Sequence, residues 1–546
     1  MKRLALFLVV LALLPALAFA GGEQEGATAE GSGIEVSEPG VYPIVQQPVT
    51  LSLLVPQNLS GTPDWSTNAA SMWMEEVTGV SIDYVVAPDF NQARTLAVAS
   101  GDLQDMQMGG HPATDIMKYG PQGIYVALND LIDEHAVWVQ RMFEIEPWIR
   151  DASTTPDGNI YGLPGVNDDL HGVYGPKMWL NRVWLERLGL EMPTTTDELF
   201  EVFMAFKNED PNGNGKTDEI PYSGAVTGWR AQIPGSINNS FLYVNINTNG
   251  LYLDDGFVKY ALVQPDYRES LRFHRRLYEN GLIDPAAFTQ EGNQLRQLGE
   301  NPGVEILGAA ESGWWQGFTI NGGESGRYKM YDLVPPLEGP DGYKTTGYYK
   351  FKVNRDQFVI TSACDYPEVA IKWADYIASP EGGYNTQYGP EGVGWVRPPE
   401  GSVAINGEPA KFERLAAQEM KNLNWGFIGP RYQPIDERLG ELRAEDYWDP
   451  AKLMTRLAGE TLNKYVGVEP PDDQILPPIY LTEEQSSEIG LVESGIVTLA
   501  RESTVRFIIG ELDVERDWDR YLASLEDAGL DRWIELYQEA YDTQYK

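Results

Sequence analysis

The chain has 546 residues, with 81 Asp and Glu against 41 Lys and Arg, a formal charge of −40 and a single cysteine. So acidic a balance argues against nucleic acid, whose phosphates demand a basic face, and disfavours adhesion to anionic lipid heads. Cys364 alone closes no internal disulfide, and His111, His135, His171 and His274 show no HExxH or comparable pairing, which argues against a zinc hydrolase.

Residues 1–20 (MKRLALFLVVLALLPALAFA) carry a basic start, an apolar run and a small-x-small ending at Ala18-Phe19-Ala20, the pattern of a cleaved signal peptide. The apolar run over 4–14 is shorter than the roughly 20 residues a bilayer span requires. Gly21 stands where a lipoprotein would carry cysteine. The expected product is therefore exported, periplasmic or extracellular, and not anchored through an N-terminal Cys. Residues 21–40, rich in Gly, Glu and Ser, read as a flexible leader.

Beyond the leader, 49–55 (VTLSLLV) and 80–86 (VSIDYVV) have strand patterns, with an amphipathic stretch over 68–78 between them that Gly79 stops. Residues 92–100 read as a helix broken by Gly101-Asp102, and 106–108 as a further short strand. Such alternation predicts an α/β layer with largely parallel strands, whose ligands gather at the strands' carboxyl ends. The loops carrying Trp65 and His111 would then face a ligand. A boundary is expected near 161–164. Thr195-Thr196-Asp197-Glu198 has capping-box spacing, and Leu199, Val202, Phe203 and Phe206 give the following helix one buried face. A new strand is expected at 330–335, a helix through Val369, Trp373 and Ile377 ended by Gly382-Gly383, and two C-terminal helical faces divided by Gly529.

Asp210-Pro211-Asn212-Gly213-Asn214-Gly215 satisfies the D-x-[DN]-x-[DN]-G opening of an EF-hand loop. Position 7 offers the Lys216 carbonyl. The usual Glu at position 12 is replaced by Pro221, and Asp218 and Glu219 are the donors that could close the shell. Asp210, Asn212, Asn214, Lys216, Asp218 and Glu219 are thus a candidate cage for a structural Ca2+; the bland alternative is a solvated Asx turn.

The chain has 15 Trp and 29 Tyr. Aromatic faces stack on sugar rings while amides and carboxylates bind hydroxyls, so a polyol site needs both. Candidates in loop-like segments are Trp65, Trp229-Arg230, Trp314-Trp315, Trp395 and Trp425, each with a rival reading as a core anchor. The adjacent Trp314 and Trp315 cannot both face one core. No G-x-S-x-G elbow, P-loop or kinase set occurs. Asp168-Asp169 beside His171 is expected to be an exposed polar turn.

Several segments together resemble bacterial extracellular solute-binding proteins of carbohydrate ABC importers, in the subgroup with lipoprotein-type and alginate-oligosaccharide-binding members. They include ASGDLQD (99–105), DGNIYGLP (157–164), WLERLGLEMPTTTDEL (184–199), DPNGNGKTDEIP (210–221), CDYPEVAIKWADYIASPEGG (364–383) and YGPEGVGW (388–395). The resemblance implies a two-lobe α/β periplasmic-binding-protein fold of the class II type, with the ligand cleft between lobes. It places 41–165 and 330–395 in an N-terminal lobe, 166–329 and 396–546 in a C-terminal lobe. It implies calcium at the DPNGNG loop, an oligosaccharide or related solute as ligand, a membrane permease as partner, a monomeric state and no catalysis. Ligand contacts are expected from Trp65, His111, Trp229, Arg230, Trp314, Trp315, Glu391 and Trp395. Asn181 stands where many members have Arg. A secreted carbohydrate-active enzyme, or the same scaffold binding a peptide or other solute, are the alternatives.

Overall fold

The computed structural model describes residues 34–57, 62–415 and 422–546; the expected signal peptide and most of the leader lie outside them. Strands β1 (Val49–Pro56) and β2 (Val80–Ala87) run parallel, Val49 opposite Val80 through Pro56 opposite Ala87. The helix between them, Ala69–Thr78, begins where the Asn68 side chain accepts the Ala70 N–H. It stops at Gly79, whose φ of 71° is open to glycine at little cost. Helix Phe90–Ser100 follows, and β3 (Met106–Met108) pairs with β1. After four short helices the chain enters β4 (Leu163–Asn167).

It then builds β5 (Met178–Asn181), β6 (Ile220–Ser223), the hairpin β7 (Leu251–Asp254) and β8 (Phe257–Tyr260), β9 (Leu307–Glu311) and β10 (Tyr331–Leu333). It returns as β11 (Asn354–Ile360), forms a small pair from β12 (Trp395–Val396) and β13 (Glu413–Arg414), and closes with β14 (Tyr432–Gln433). The strands make a six-stranded sheet, β14-β4-β11-β3-β1-β2, and a four-stranded one, β10-β5-β9-β6. Each sheet has its own apolar core, one centred on Trp65, Trp373 and Trp425, the other on Trp184, Phe203, Tyr222 and Trp533. These are the two α/β lobes.

Local signals held where hydrogen bonds within a few residues decide them. Thr195 and Glu198 form a reciprocal capping box on helix Thr196–Asn208, and Leu199, Val202, Phe203 and Phe206 are all buried. Asn181 caps helix Arg182–Leu188, its side chain accepting the N–H groups of Val183 and Trp184. Gly529 divides helices Trp518–Asp527 and Leu530–Tyr545.

Three expectations are corrected. Gly382-Gly383 does not end a helix. Pro367–Ala378 stops at Ser379, which caps the next helix, Pro380–Tyr388, by accepting the Gly382 N–H; a Cβ on Gly383 would lie 3.1 Å from the Gln433 amide. The strand near 330 does not open a return to the first lobe, because β10 pairs antiparallel with β5 of the second sheet, and the return falls between 333 and 354. Finally, β14 lies parallel to β4, so 432–433 belong to the first sheet although 396–546 were expected in the second lobe. A two-residue strand carries no periodicity of its own, and no strand announces its partner.

Among the described residues, three passages between the two sheets lie side by side and are held to one another. The Asp168 N–H donates to the Gln433 carbonyl at 2.9 Å, tying the continuation of β4 to that of β14. The Tyr349 N–H donates to the Val173 carbonyl at 2.8 Å, tying the third passage, 345–354, to the first.

Candidate functional site

β4 runs straight into Asp168, Asp169 and the one-turn helix Leu170–Val173. Asp168 and His171 are buried, contrary to the exposed turn expected, because passages 345–354 and 431–434 close over them. His171 Nδ1 lies 2.9 Å from Asp169 Oδ1, and Lys352 Nζ lies 3.2 Å from Asp169 Oδ2. Burial alone would raise Asp169, but His171 and Lys352 hold it well below the usual carboxylate range. On Asp168 burial wins: it pushes the carboxyl up to about 7 against the pull of Lys352, with Glu146 and Asp169 adding repulsion, and Oδ1 has no hydrogen-bond partner.

Two buried basic side chains fix the turn, and burial, with Arg230 nearby, holds the Lys177 amine well below its usual range. Lys177 Nζ donates to the carbonyls of His171 and Tyr174, and Arg230 donates through Nη1 to Tyr174 O and through Nη2 to Gly172 O, each at 2.8 Å. Side-chain N–H donors at a helix's carboxyl end satisfy otherwise orphaned carbonyls. Arg230, expected to take ligand hydroxyls, therefore has both terminal nitrogens committed to main chain.

The neighbouring Trp229 is free to face outward. It follows the carboxyl end of β6, is 43% exposed, and lies edge-on to His171 at 5.5 Å and to Trp314 at 6.2 Å with the planes at 89°. Trp314, half-buried, follows the carboxyl end of β9. Gly313 makes the pairing possible: a Cβ there would lie 2.2 Å from the Trp229 ring, and its N–H donates to the Trp229 carbonyl. Two indoles at right angles, with a carboxylate and an imidazole beneath, form an L-shaped platform suited to a sugar ring. A cavity of about 580 Å³ borders the same loop through Ala225, Val226 and Gln232, but its far wall is Arg501, Val505 and Ile509.

The other expected contacts are placed elsewhere. Trp65 is 1% exposed, stacked on Tyr84, with Nε1–H donating to the Pro56 carbonyl. Trp315 packs edge-on against Trp179 under Arg456, and Trp395 donates from Nε1 to Asn385 beside Tyr384. These three are core anchors. His111 is buried between Phe90 and Tyr125, with Nδ1 2.9 Å from the Asp356 carbonyl and Nε2 3.1 Å from the Gln107 side-chain oxygen; burial pushes it down to about 3, so it stays neutral. Glu391 is exposed and pairs with Arg397 at 3.1 Å. The structure thus brings together Trp229, Arg230 and Trp314 alone of that set. Sequence reasoning set Asp168, Asp169 and His171 aside as an exposed polar turn and passed over Lys177 and Lys352; the available signal was two carboxylates and a histidine directly after a strand.

The acidic loop sits between helix Thr196–Asn208 and β6. Asp210 accepts the N–H groups of Asn214 and Gly215, and Asn214 and Asn212 aim their amides at Asp218 Oδ1 from 2.9 and 3.2 Å. Both Glu219 oxygens are buried without a partner, and burial, with Asp210 and Asp218 nearby, raises that carboxyl. An unpartnered carboxylate with two others nearby is a donor set whose chemistry fits a hard dication. Among the described residues no three His, Cys or carboxylate side chains form a metal cluster by themselves; a calcium loop normally adds amide and main-chain oxygens to its carboxylates.

Residues 60–384 match the family of bacterial extracellular solute-binding proteins. The chain belongs to that family. It is 29% identical to the fructooligosaccharide ABC transporter substrate-binding protein FusA of Streptococcus pneumoniae serotype 4, over 93% of this chain and 92% of FusA. The structure of S. pneumoniae FusA with kestose superposes with a TM-score of 0.69 at 26% identity, covering 90% of this chain and 99% of that one. That of an EF-hand mutant of FusA with fructo-nystose gives 0.67 at 26% identity over the same shares. These relatives are substrate-binding proteins. No helix of the described residues is long and apolar enough to cross a membrane.

Proposed function

We propose that the protein is the substrate-binding component of an ABC importer, taking an oligosaccharide between its lobes and delivering it unaltered to a membrane permease. The observation that carries this is the Trp229–Trp314 platform beside Asp169 and His171, set where three chain passages join the lobes. A sugar resting on the second lobe's indoles and reached from the first lobe favours the closed state by its contacts to both. FusA, which binds fructooligosaccharides by name and matches over nearly the whole chain, supports the ligand class. Titrating a panel of neutral and acidic oligosaccharides into the purified protein should give saturable binding for at least one; silence across the panel defeats the reading.

Asp210, Asn212, Asn214, Asp218, Glu219 and the Lys216 carbonyl would hold calcium, which when bound would supply fixed positive charge to the carboxylates of Asp210, Asp218 and Glu219. The role is structural: the loop fixes the start of β6, whose other end leads to Trp229. The EF-hand attributed to FusA supports this assignment.

A further inference from the structure

The first lobe also needs a surface for the sugar, and its tryptophans do not provide one. Residues 424–431 lie over the carboxyl ends of its strands. The Thr62 hydroxyl donates to the Asn424 carbonyl, a Cβ on Gly429 would lie 3.2 Å from Met108 Sδ at the end of β3, and a Cβ on Gly165 of β4 would meet the Gly429 carbonyl at 2.9 Å. Within this loop Phe427 is 67% exposed, the highest exposure of any aromatic side chain among the described residues.

A single exposed apolar side chain ordinarily needs no explanation. Phe427 differs because the chain is clamped on both sides of it. Before it, the Trp425 ring is fully buried 5.7 Å from Trp65 and 6.0 Å from Trp373, its Nε1–H donating to Ser71 Oγ at 2.9 Å. After it, the buried Arg431 guanidinium donates to the carbonyls of Gly426 and Ile428, the residues flanking Phe427. The other strongly exposed aromatics are accounted for: Phe257 lies under Lys546, Tyr447 packs on Trp448 and hydrogen-bonds Glu460, and Trp229 belongs to the platform. Among the described residues Phe427 has no ring or cation against it.

We infer that Phe427 is the first lobe's ligand-contacting aromatic, presenting its face to the C–H face of a sugar ring held on the Trp229–Trp314 platform. The clamps remove the loop's freedom before binding, so little ordering entropy is lost when the ring is covered. The inference rests on the oligosaccharide reading and sharpens it, giving each lobe one aromatic wall and making Phe427 a determinant of which sugar face is read.

The test is calorimetric titration of the best-binding oligosaccharide into the full-length protein and its Phe427→Ala, Phe427→Trp and Phe257→Ala variants, with melting temperatures measured alongside. Phe427→Ala should bind at least ten-fold more weakly with an unchanged melting temperature, since an exposed ring contributes little to folding. Phe427→Trp should bind within a few-fold of the parent and add a ligand-dependent change in fluorescence, and Phe257→Ala should bind normally. Affinity of Phe427→Ala within two-fold of the parent, or equal losses in Phe427→Ala and Phe257→Ala, overturns the inference and leaves the oligosaccharide reading standing. Absence of binding by the parent protein overturns both.

Discussion

The two lobes meet the cleft with opposite arrangements of the same residue type. At the carboxyl ends of β6 and β9 the second lobe leaves Trp229 outside and Trp314 half outside. At the corresponding ends of the first lobe Trp65 and Trp425 are drawn into the core and the aromatic left at the surface is Phe427. Trp314 and Trp315 repeat the contrast between neighbours, the one at the mouth and the other packed on Trp179. An indole is therefore no marker of a sugar site by itself. Its fate is set by which way the chain turns beyond the strand and by whether a cavity of the right shape waits inside.

The largest break in this comparison comes from emptying the first lobe's core. Trp65→Ala removes a fully buried indole from a stack with Tyr84 and Trp425, and should cost about 3–5 kcal/mol of stability in chemical denaturation. A loss below about 1 kcal/mol would show that Trp65 is not the anchor described, on the scale expected for surface substitutions.

The second lobe has its own buried charge problem in Glu311, at the end of β9. Burial pushes its carboxyl up to about 8, even though Tyr222, the Ser236 hydroxyl and the Ser236 N–H all donate to it. A carboxyl raised on folding contributes stability that is complete below its unfolded pKa, near 4.3, and is lost as pH rises through about 8. The parent's melting temperature should therefore fall relative to that of Glu311→Gln between pH 5 and 8.5. Parallel curves for the two proteins would remove Glu311 from the account.

Calcium is the next lever. At a hundred times its Kd the ion would add about 2.7 kcal/mol. Chelation should lower the melting temperature of the parent and leave that of Asp210→Ala unmoved; a parent indifferent to chelator has no ion at the loop.

Smallest in free energy but most telling for the platform, Trp229→Ala should weaken oligosaccharide binding about ten-fold, or about 1.4 kcal/mol, with little change in melting temperature. Trp395→Ala should do the reverse, losing stability while the protein that remains folded binds normally. If the two variants behave alike, the distinction between mouth and core drawn here has no functional content.

What could be read from the sequence was what short-range hydrogen bonding dictates. Asn68 and Gly79 bound the first helix, Thr195 and Glu198 box another, and Asp210 and Asn214 shape a tight polar loop, because caps and Asx geometry depend on residues two to four apart. The first parallel strand pair was equally visible. The floor of the site was not: Asp168 and His171 look like a polar turn until passages from 345–354 and 431–434 are laid over them, and nothing within ten residues announces that cover. Helix Glu483–Ile509 escaped notice because its buried positions, among them Ile489, Ile496, Ala500 and Phe507, are widely spaced along a mostly polar segment. Tryptophan fates were hidden for the same non-local reason.

The most direct test of the central claim is calorimetric titration of the oligosaccharide panel, with the bound sugar then recovered and identified by mass spectrometry. One saturable site per chain and a sugar returned chemically intact is the predicted result. No saturable heat for any sugar, or a recovered compound that has been cleaved or modified, contradicts it.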